Sequence, residues 1–229
     1  MFVGHLAAAF AAKGARPRLS LGWYLAAATA PDLLWPILLL LGVERAQVAP
    51  GATAFNPLIF EHYPWSHSLL SGFILGAVLA AAARWRGADR FSATLLGACV
   101  LSHWVLDFVT HAPDLPLWPG QSPRFGLGLW NSVAGTFAVE GSLWVAALAL
   151  YLARRQPAGW RGSLALWSLV AVSTVLWAGG PWSPPPPSVT ALAWFALVGW
   201  LVIPWGAAAD RYYRKKPAPE LREDNPSAK

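Results

Sequence analysis

The chain has 229 residues, 56% of them hydrophobic and only 12% charged. Soluble domains average about 25% charged, so a soluble fold of this length would lack the charge to cover its surface, and composition excludes that class. Fifteen Trp, twenty Gly and twenty Pro fit a helical membrane protein, where Trp marks interfaces and Gly and Pro are tolerated within spans.

Apolar segments fall at residues 2–13, 19–43, 66–83, 91–112, 131–153, 160–178 and 189–209. The first is shorter than the roughly 20 residues that cross a bilayer. It also lacks a positive n-region, because Lys13 follows the apolar run, so a cleaved signal peptide is not expected. Pro31 and Pro36 interrupt the second segment, which suggests a broken helix facing protein or a half-membrane hairpin. The remaining five read as clear spans. The expected fold is all-α, a polytopic helical membrane protein with about five transmembrane helices plus a short or broken N-terminal helical pair. Residues 1–209 form one integral membrane domain, and the polar stretch 210–229 reads as a disordered basic tail. Loops at 44–65, 113–130 and 179–188 are rich in Pro and Gly and are expected to be ordered by packing rather than by regular structure. There is no internal repeat, nucleotide-binding glycine loop or separate soluble domain.

The net charge of +6 would suggest nucleic acid if it were spread over a surface, but it is not. Of the seventeen Lys and Arg, all but Arg45 and Arg124 fall between segments one and two, three and four, five and six, or in the tail. The positive-inside rule makes that side, with the C-terminal tail, cytoplasmic in a bacterial cytoplasmic membrane. The basicity is a topology signal, and no nucleic-acid partner is expected. The single cysteine, Cys99, lies inside an apolar stretch and excludes an internal disulfide or a Cys-rich metal site.

All five histidines, His5, His62, His67, His103 and His111, occur in the first half of the chain, each beside an apolar segment. In the topology above they share the extracytoplasmic side, and ionisable residues at membrane depth are functional candidates by default. His103, Asp107 and His111 are four apart, a spacing that returns to one helix face with about 6 Å of rise per step. Imidazole and carboxylate at this spacing can chelate a divalent ion, and such a donor set suits zinc, manganese or iron. Asp32, at the break of the second segment, reads equally as a helix cap or as a ligand. Glu140, a third of the way along the fifth segment, reads as a general base, a group supporting a ligand, or a protonated glutamate bonded to a neighbouring helix. Asp107 is the other candidate catalytic carboxylate.

The ordered elements Gly4-His5, Pro31-Asp32, His62-Tyr63-Pro64-Trp65-Ser66-His67-Ser68-Leu69 and Ser102-His103 through Asp107 and Thr110 to Trp118-Pro119 resemble the bacterial membrane-bound metal-dependent hydrolases of the DNA-damage-induced type. The resemblance covers about residues 1–120, the metal-site half, and leaves 121–209 as accessory transmembrane helices. That family is distantly similar to zinc-dependent phospholipase C, a helical enzyme with clustered zinc ions. The resemblance implies that Asp32 is a ligand and that His103 and Asp107 match a His-x3-Asp zinc helix. Two departures stand out: Leu33-Leu34-Trp35 where the family often has a further acidic residue and His, and His111 where it usually has Pro.

The functional expectation is a membrane-embedded hydrolase holding one or two divalent ions, zinc first, with manganese or iron as alternatives. The ligands would be His5, Asp32, His62, His67, His103 and Asp107, with His111 at the rim. Entry at the lip of the bilayer favours a lipid or lipid-linked phosphoester, with Arg124 or Arg45 as anion contacts and membrane lipids as partners. The rival expectation is an ion-binding transporter or membrane scaffold that hydrolyses nothing.

Overall fold

A computed structural model describes residues 1–15 and 18–215. Ten α-helices carry the fold: α1 (Val3–Ala15), α2 (Leu21–Ala28), α3 (Ala30–Leu40), α4 (Pro64–His67), α5 (Leu69–Trp85), α6 (Arg90–Thr110), α7 (Val133–Arg154), α8 (Trp160–Gly179), α9 (Val189–Ala196) and α10 (Val202–Arg211). Among the described residues, four helical stretches are long and apolar enough to cross a membrane: 90–110, 133–154, 160–182 and 189–211. The pair α2 and α3, bent by 53°, makes a fifth if counted as one span. The bend has a chemical cause. Pro31 has no N–H to continue the ladder, and Thr29 turns its hydroxyl back to the Leu25 carbonyl (2.8 Å).

The third apolar segment, expected as one clear span, is divided into a single turn and a helix. Its first residues form the single turn α4, Ser68 adopts an extended conformation, and α5 then runs only 17 residues. Ser68 caps α5 by accepting from the Ser71 N–H (3.1 Å). Asp89, Ser132 and Ser188 cap α6, α7 and α9 in the same way, each satisfying an orphan donor that lipid could not.

α1 is too short to span, and most of its surface is apolar because ten of its thirteen residues are buried. Val3, Ala9 and Phe10 are fully enclosed, with α7, α2 and α6 packed around them. α2 approaches α10 so closely at Gly22 that a Cβ there would lie 2.5 Å from the Ile203 carbonyl oxygen.

Strands are minor and lie at the ends of the helices. Loop 44–65, expected without regular structure, contains an antiparallel pair, β1 (Arg45–Val48) with β2 (Leu58–His62). β3 (Leu115–Pro116) pairs with β4 (Arg124–Phe125) near it. At the opposite end, β5 (Arg155–Pro157) pairs with β6 (Tyr213–Lys215). The stretch expected as a disordered tail from Asp210 is therefore ordered to Lys215, where Asp210 binds Lys13 (2.9 Å) and Arg155 (2.5 Å). The rest of the expected tail, 216–229, lies outside the described residues. Lys13, Arg18, Arg154, Arg155 and Asp89 all gather at this end through contacts between elements, so the basic loops do share one side.

Candidate metal centre

Five side chains from four elements meet at the end of the bundle opposite the basic one. α1 supplies His5, the start of α3 supplies Asp32, α4 supplies His67, and α6 supplies His103 and Asp107. His5 Nε2 lies 3.0 Å from Asp107 Oδ1, and His103 Nε2 lies 3.1 Å from Asp107 Oδ2. Asp32 Oδ1 is 3.3 Å from His67 Nε2 and 3.7 Å from His103 Nε2. Two overlapping groups have ligand atoms mutually within 4.8 Å: His5, His103 and Asp107, and Asp32, His67 and His103. Metal–ligand bonds of about 2.1 Å in a tetrahedron place neighbouring ligand atoms about 3.4 Å apart. The observed separations straddle that value.

The helix break and the short turn explain how residues far apart in sequence converge. At the break, the Ala28 carbonyl accepts from His103 Nδ1 (2.8 Å), while the restart at Ala30 brings Asp32 into the first turn of α3. α4 turns His67 inward, with Nδ1 2.6 Å from Ser66 Oγ. Ser66 Oγ itself donates to Glu44 Oε2 (2.6 Å), whose other oxygen accepts the N–H groups of Trp65 and Ser66. The carbonyl on His103 can only accept, so Nδ1 carries the proton and the Nε2 lone pair faces the carboxylates. This pattern, with Nδ1 tied outward and Nε2 turned inward, is how metal-binding imidazoles are oriented.

Electrostatics sharpen the point. His103 Nε2 is buried and has no hydrogen-bond partner among the described residues, yet carboxylate oxygens flank it. A proton or a metal ion must separate such acceptors. Protons alone serve poorly, because the His5 and His103 rings stack at 3.6 Å and 8°, and two imidazolium ions in that arrangement repel. The Met1 backbone amine, also buried, pairs with Asp107. Asp32 is the one open member of the cluster, its side chain 41% exposed, whereas those of His5, His67, His103 and Asp107 are nearly enclosed.

Of the seven residues expected as ligands, these five form the cluster, His111 stands at its rim and His62 lies apart. His62, at the end of β2 opposite Arg45, lines a surface hollow with Asp114, Ser122 and Arg124. Tyr63, which also borders that hollow, is buried behind it. His111 follows the end of α6 in an extended conformation. It keeps Nε2 3.8 Å from Asp107 Oδ1 but commits Nδ1 to Asp114 (3.1 Å). Tyr63 donates to the same Asp114 carboxylate, and burial together with that carboxylate holds its phenol well above the usual range, so it remains a donor. Arg124 donates to the Glu61 carbonyl (3.2 Å) beside His62 and is not at the cluster. Glu140 is buried and accepts the N–H groups of Phe2 (3.0 Å) and Gly4 (3.4 Å) through Oε2. It thus fixes the start of the helix that carries His5, and its Oε1 has no partner among the described residues.

Glu44, Tyr63 and Asp114 were not legible as site residues. Glu44 stands more than twenty positions from the turn it holds, with no motif to join them, and only the His111-x2-Asp114 spacing offered a local signal.

No curated protein and no solved structure shows significant similarity to this chain. The family model described as YdjM inner membrane protein matches residues 1–182, running past the histidine motifs to include Glu140, and the chain belongs to that family.

Proposed function

We propose that the chain is a membrane-embedded, metal-dependent hydrolase of a phosphoester or lipid-linked substrate, with its site open on the extracytoplasmic face. The observation that carries this reading is the convergence of five buried or half-buried acceptors, with the imidazoles of His67 and His103 tied outward through Nδ1. His5, Asp32, His67, His103 and Asp107 would hold one divalent ion, zinc first by donor chemistry. Such an ion supplies a water ionising near pH 7 and polarises a phosphoryl or acyl oxygen.

The chain's own groups divide the remaining work. Asp32, the exposed carboxylate, marks the side from which a substrate arrives. Trp65 and Leu70, close in sequence to His67, are about half exposed and give that neighbourhood an apolar rim suited to a lipid chain. Asp107 is engaged by the surrounding imidazoles, so Glu140, with one oxygen unpaired, is the carboxylate left to take a proton. Grouping of the basic loops at the other end supports an extracytoplasmic site and a cytoplasmic C-terminus under the positive-inside rule.

Burial of four of the five ligands favours a second reading, an ion site in a transporter or scaffold. Against a transmembrane path, Phe10, Trp144 and Tyr151 pack edge to face between the cluster and the Lys13–Asp210 end. The test is elemental analysis of the purified full chain, followed by a panel of phosphoesters and lipid phosphates. The hydrolase reading expects about one divalent ion per chain and turnover that disappears in Glu140→Gln with metal retained. Metal without turnover, together with metal or proton flux in proteoliposomes that Glu140→Gln abolishes, would establish the second reading. No metal at all sinks the hydrolase reading, and no metal together with no flux sinks both.

A further inference from the structure

We infer that Glu44 is a positioning residue which, through the Ser66 hydroxyl, sets the tautomer of His67 and so its capacity to bind a cation. The inference rests on the metal reading above for its purpose but on hydrogen-bond direction for its content.

Glu44 is buried, although it lies in the loop after α3. Its Oε1 accepts the N–H groups of Trp65 (2.8 Å) and Ser66 (2.9 Å), the first orphan donors of α4. Its Oε2 lies 2.6 Å from Ser66 Oγ. The Ser66 hydroxyl has one proton to donate, and Oε2 at 2.6 Å takes it ahead of the Tyr63 carbonyl at 3.4 Å. The serine oxygen, 2.6 Å from His67 Nδ1, can then only accept, and Nδ1 must carry the imidazole proton. The Nε2 lone pair is left facing Asp32, 3.3 Å away. Four polar groups in a row, each pointing the next, convert a buried carboxylate outside the cluster into the correct face of a ligand inside it. Edge contacts of His67 with Trp35 and Tyr63 hold the ring plane but say nothing about which nitrogen is protonated. The Glu44–Ser66 chain carries that information at Nδ1, through a contact shorter than the one from Asp32 to Nε2.

Glu44→Gln tests the direction of the chain with almost no change of shape. The amide oxygen still satisfies the two backbone N–H groups, which leaves the NH2 facing Ser66. Ser66 must then accept from glutamine and donate to His67 Nδ1, and the imidazole proton moves to Nε2. Ser66→Ala removes the relay without touching the caps, and it serves if the glutamine variant does not fold. Nitrogen-15 NMR of histidine-labelled, metal-free full chain in micelles reads the tautomer, and competitive titration with zinc alone reads the affinity. The expected result is Nδ1–H on His67 in the wild type, Nε2–H in Glu44→Gln, and zinc affinity lowered by about 10–100-fold, the usual loss when an outer partner of a metal imidazole is removed. Ser66→Ala should weaken zinc comparably while helix content is kept. A wild-type His67 that lacks the Nδ1 proton, or a glutamine variant that is folded and unchanged in tautomer and zinc affinity, overturns the inference. Wild type that binds no zinc overturns the proposed function instead, and the tautomer still decides the role of Glu44.

Discussion

Two buried charge clusters sit at opposite ends of this bundle, and they are built on opposite logic. At the basic end Asp210 receives Lys13 on one oxygen and Arg155 on the other, so the chain brings its own cations to its own carboxylate. Lys13 also donates to the Leu19 carbonyl (2.6 Å), and the cluster ties α1, α10 and the α7–α8 connection together. At the other end Asp32 and Asp107 face the Nε2 atoms of His67 and His103, whose Nδ1 atoms are bonded outward, and the cation nearest to them is the Met1 amine on Asp107. Burying charge in an apolar bundle is costly unless it is compensated. A cluster that compensates itself is a clamp, and one that leaves acceptors converging calls for something from outside.

The largest effect that would break this contrast is His103→Ala. His103 belongs to both candidate ligand groups, so its loss should weaken divalent-metal binding by more than the about 10–100-fold expected for an outer-shell change. Metal content after size-exclusion chromatography reads it. Unchanged metal in a folded variant would place the ion elsewhere or nowhere.

Asp210→Asn makes the converse cut. Removing one partner of a buried ion cluster strands Lys13 and Arg155, a loss of about 3–5 kcal/mol by analogy with other broken buried pairs. Thermal unfolding in detergent should show it as a marked drop in midpoint, with metal stoichiometry unaltered in the protein that remains folded. Loss of metal in step with stability would mean that the two ends are one functional unit.

A smaller effect is expected at the contact that carries α10 against α2. A methyl group at position 22 would meet the Ile203 carbonyl oxygen at 2.5 Å and Ala207 Cβ at 2.9 Å. Gly22→Ala should therefore cost about 1–3 kcal/mol of overpacking strain, read by the same thermal assay. Because α2 leads directly into the break before Asp32, metal affinity is a useful second readout. A fall there would show that the broken helix transmits strain to its ligand.

What the sequence made legible follows from the range of the physics. Apolar length and charge placement are local and additive, so the helical membrane class, the basic end and the broken second segment could be read directly. The four-residue spacing of His103 and Asp107 was likewise enough to put them on one face. The failures share a different cause. α5 starts late because His67 and Ser68 are used by the turn before it, which no hydropathy window detects. His111 stays at the rim, 3.8 Å from Asp107, because the helix ends at Thr110, two residues before Ala112-Pro113, where the backbone is biased out of the helical region. Glu44 acts across a loop and a strand pair, and such a partner is visible only once the chain has folded.

The smallest expected effect is at His62, and it separates motif from geometry most sharply. His62 and His67 belong to one eight-residue stretch, residues 62–69, and look alike in sequence. The backbone divides them: His62 ends an extended strand, Tyr63 turns the chain, and one helical turn later His67 points into the bundle. His62→Ala should leave metal content and thermal stability unchanged, since its side chain lines an outer hollow and a surface truncation away from special contacts typically shifts stability by less than about 0.5 kcal/mol. His67→Ala, five positions on, should lose metal. If activity on a charged phosphoester falls in His62→Ala while metal is retained, the hollow it shares with Arg124 contributes to substrate approach. If metal falls as well, the ligand set extends beyond the five residues that the fold brings together, and the boundary drawn between the strand and the turn is wrong.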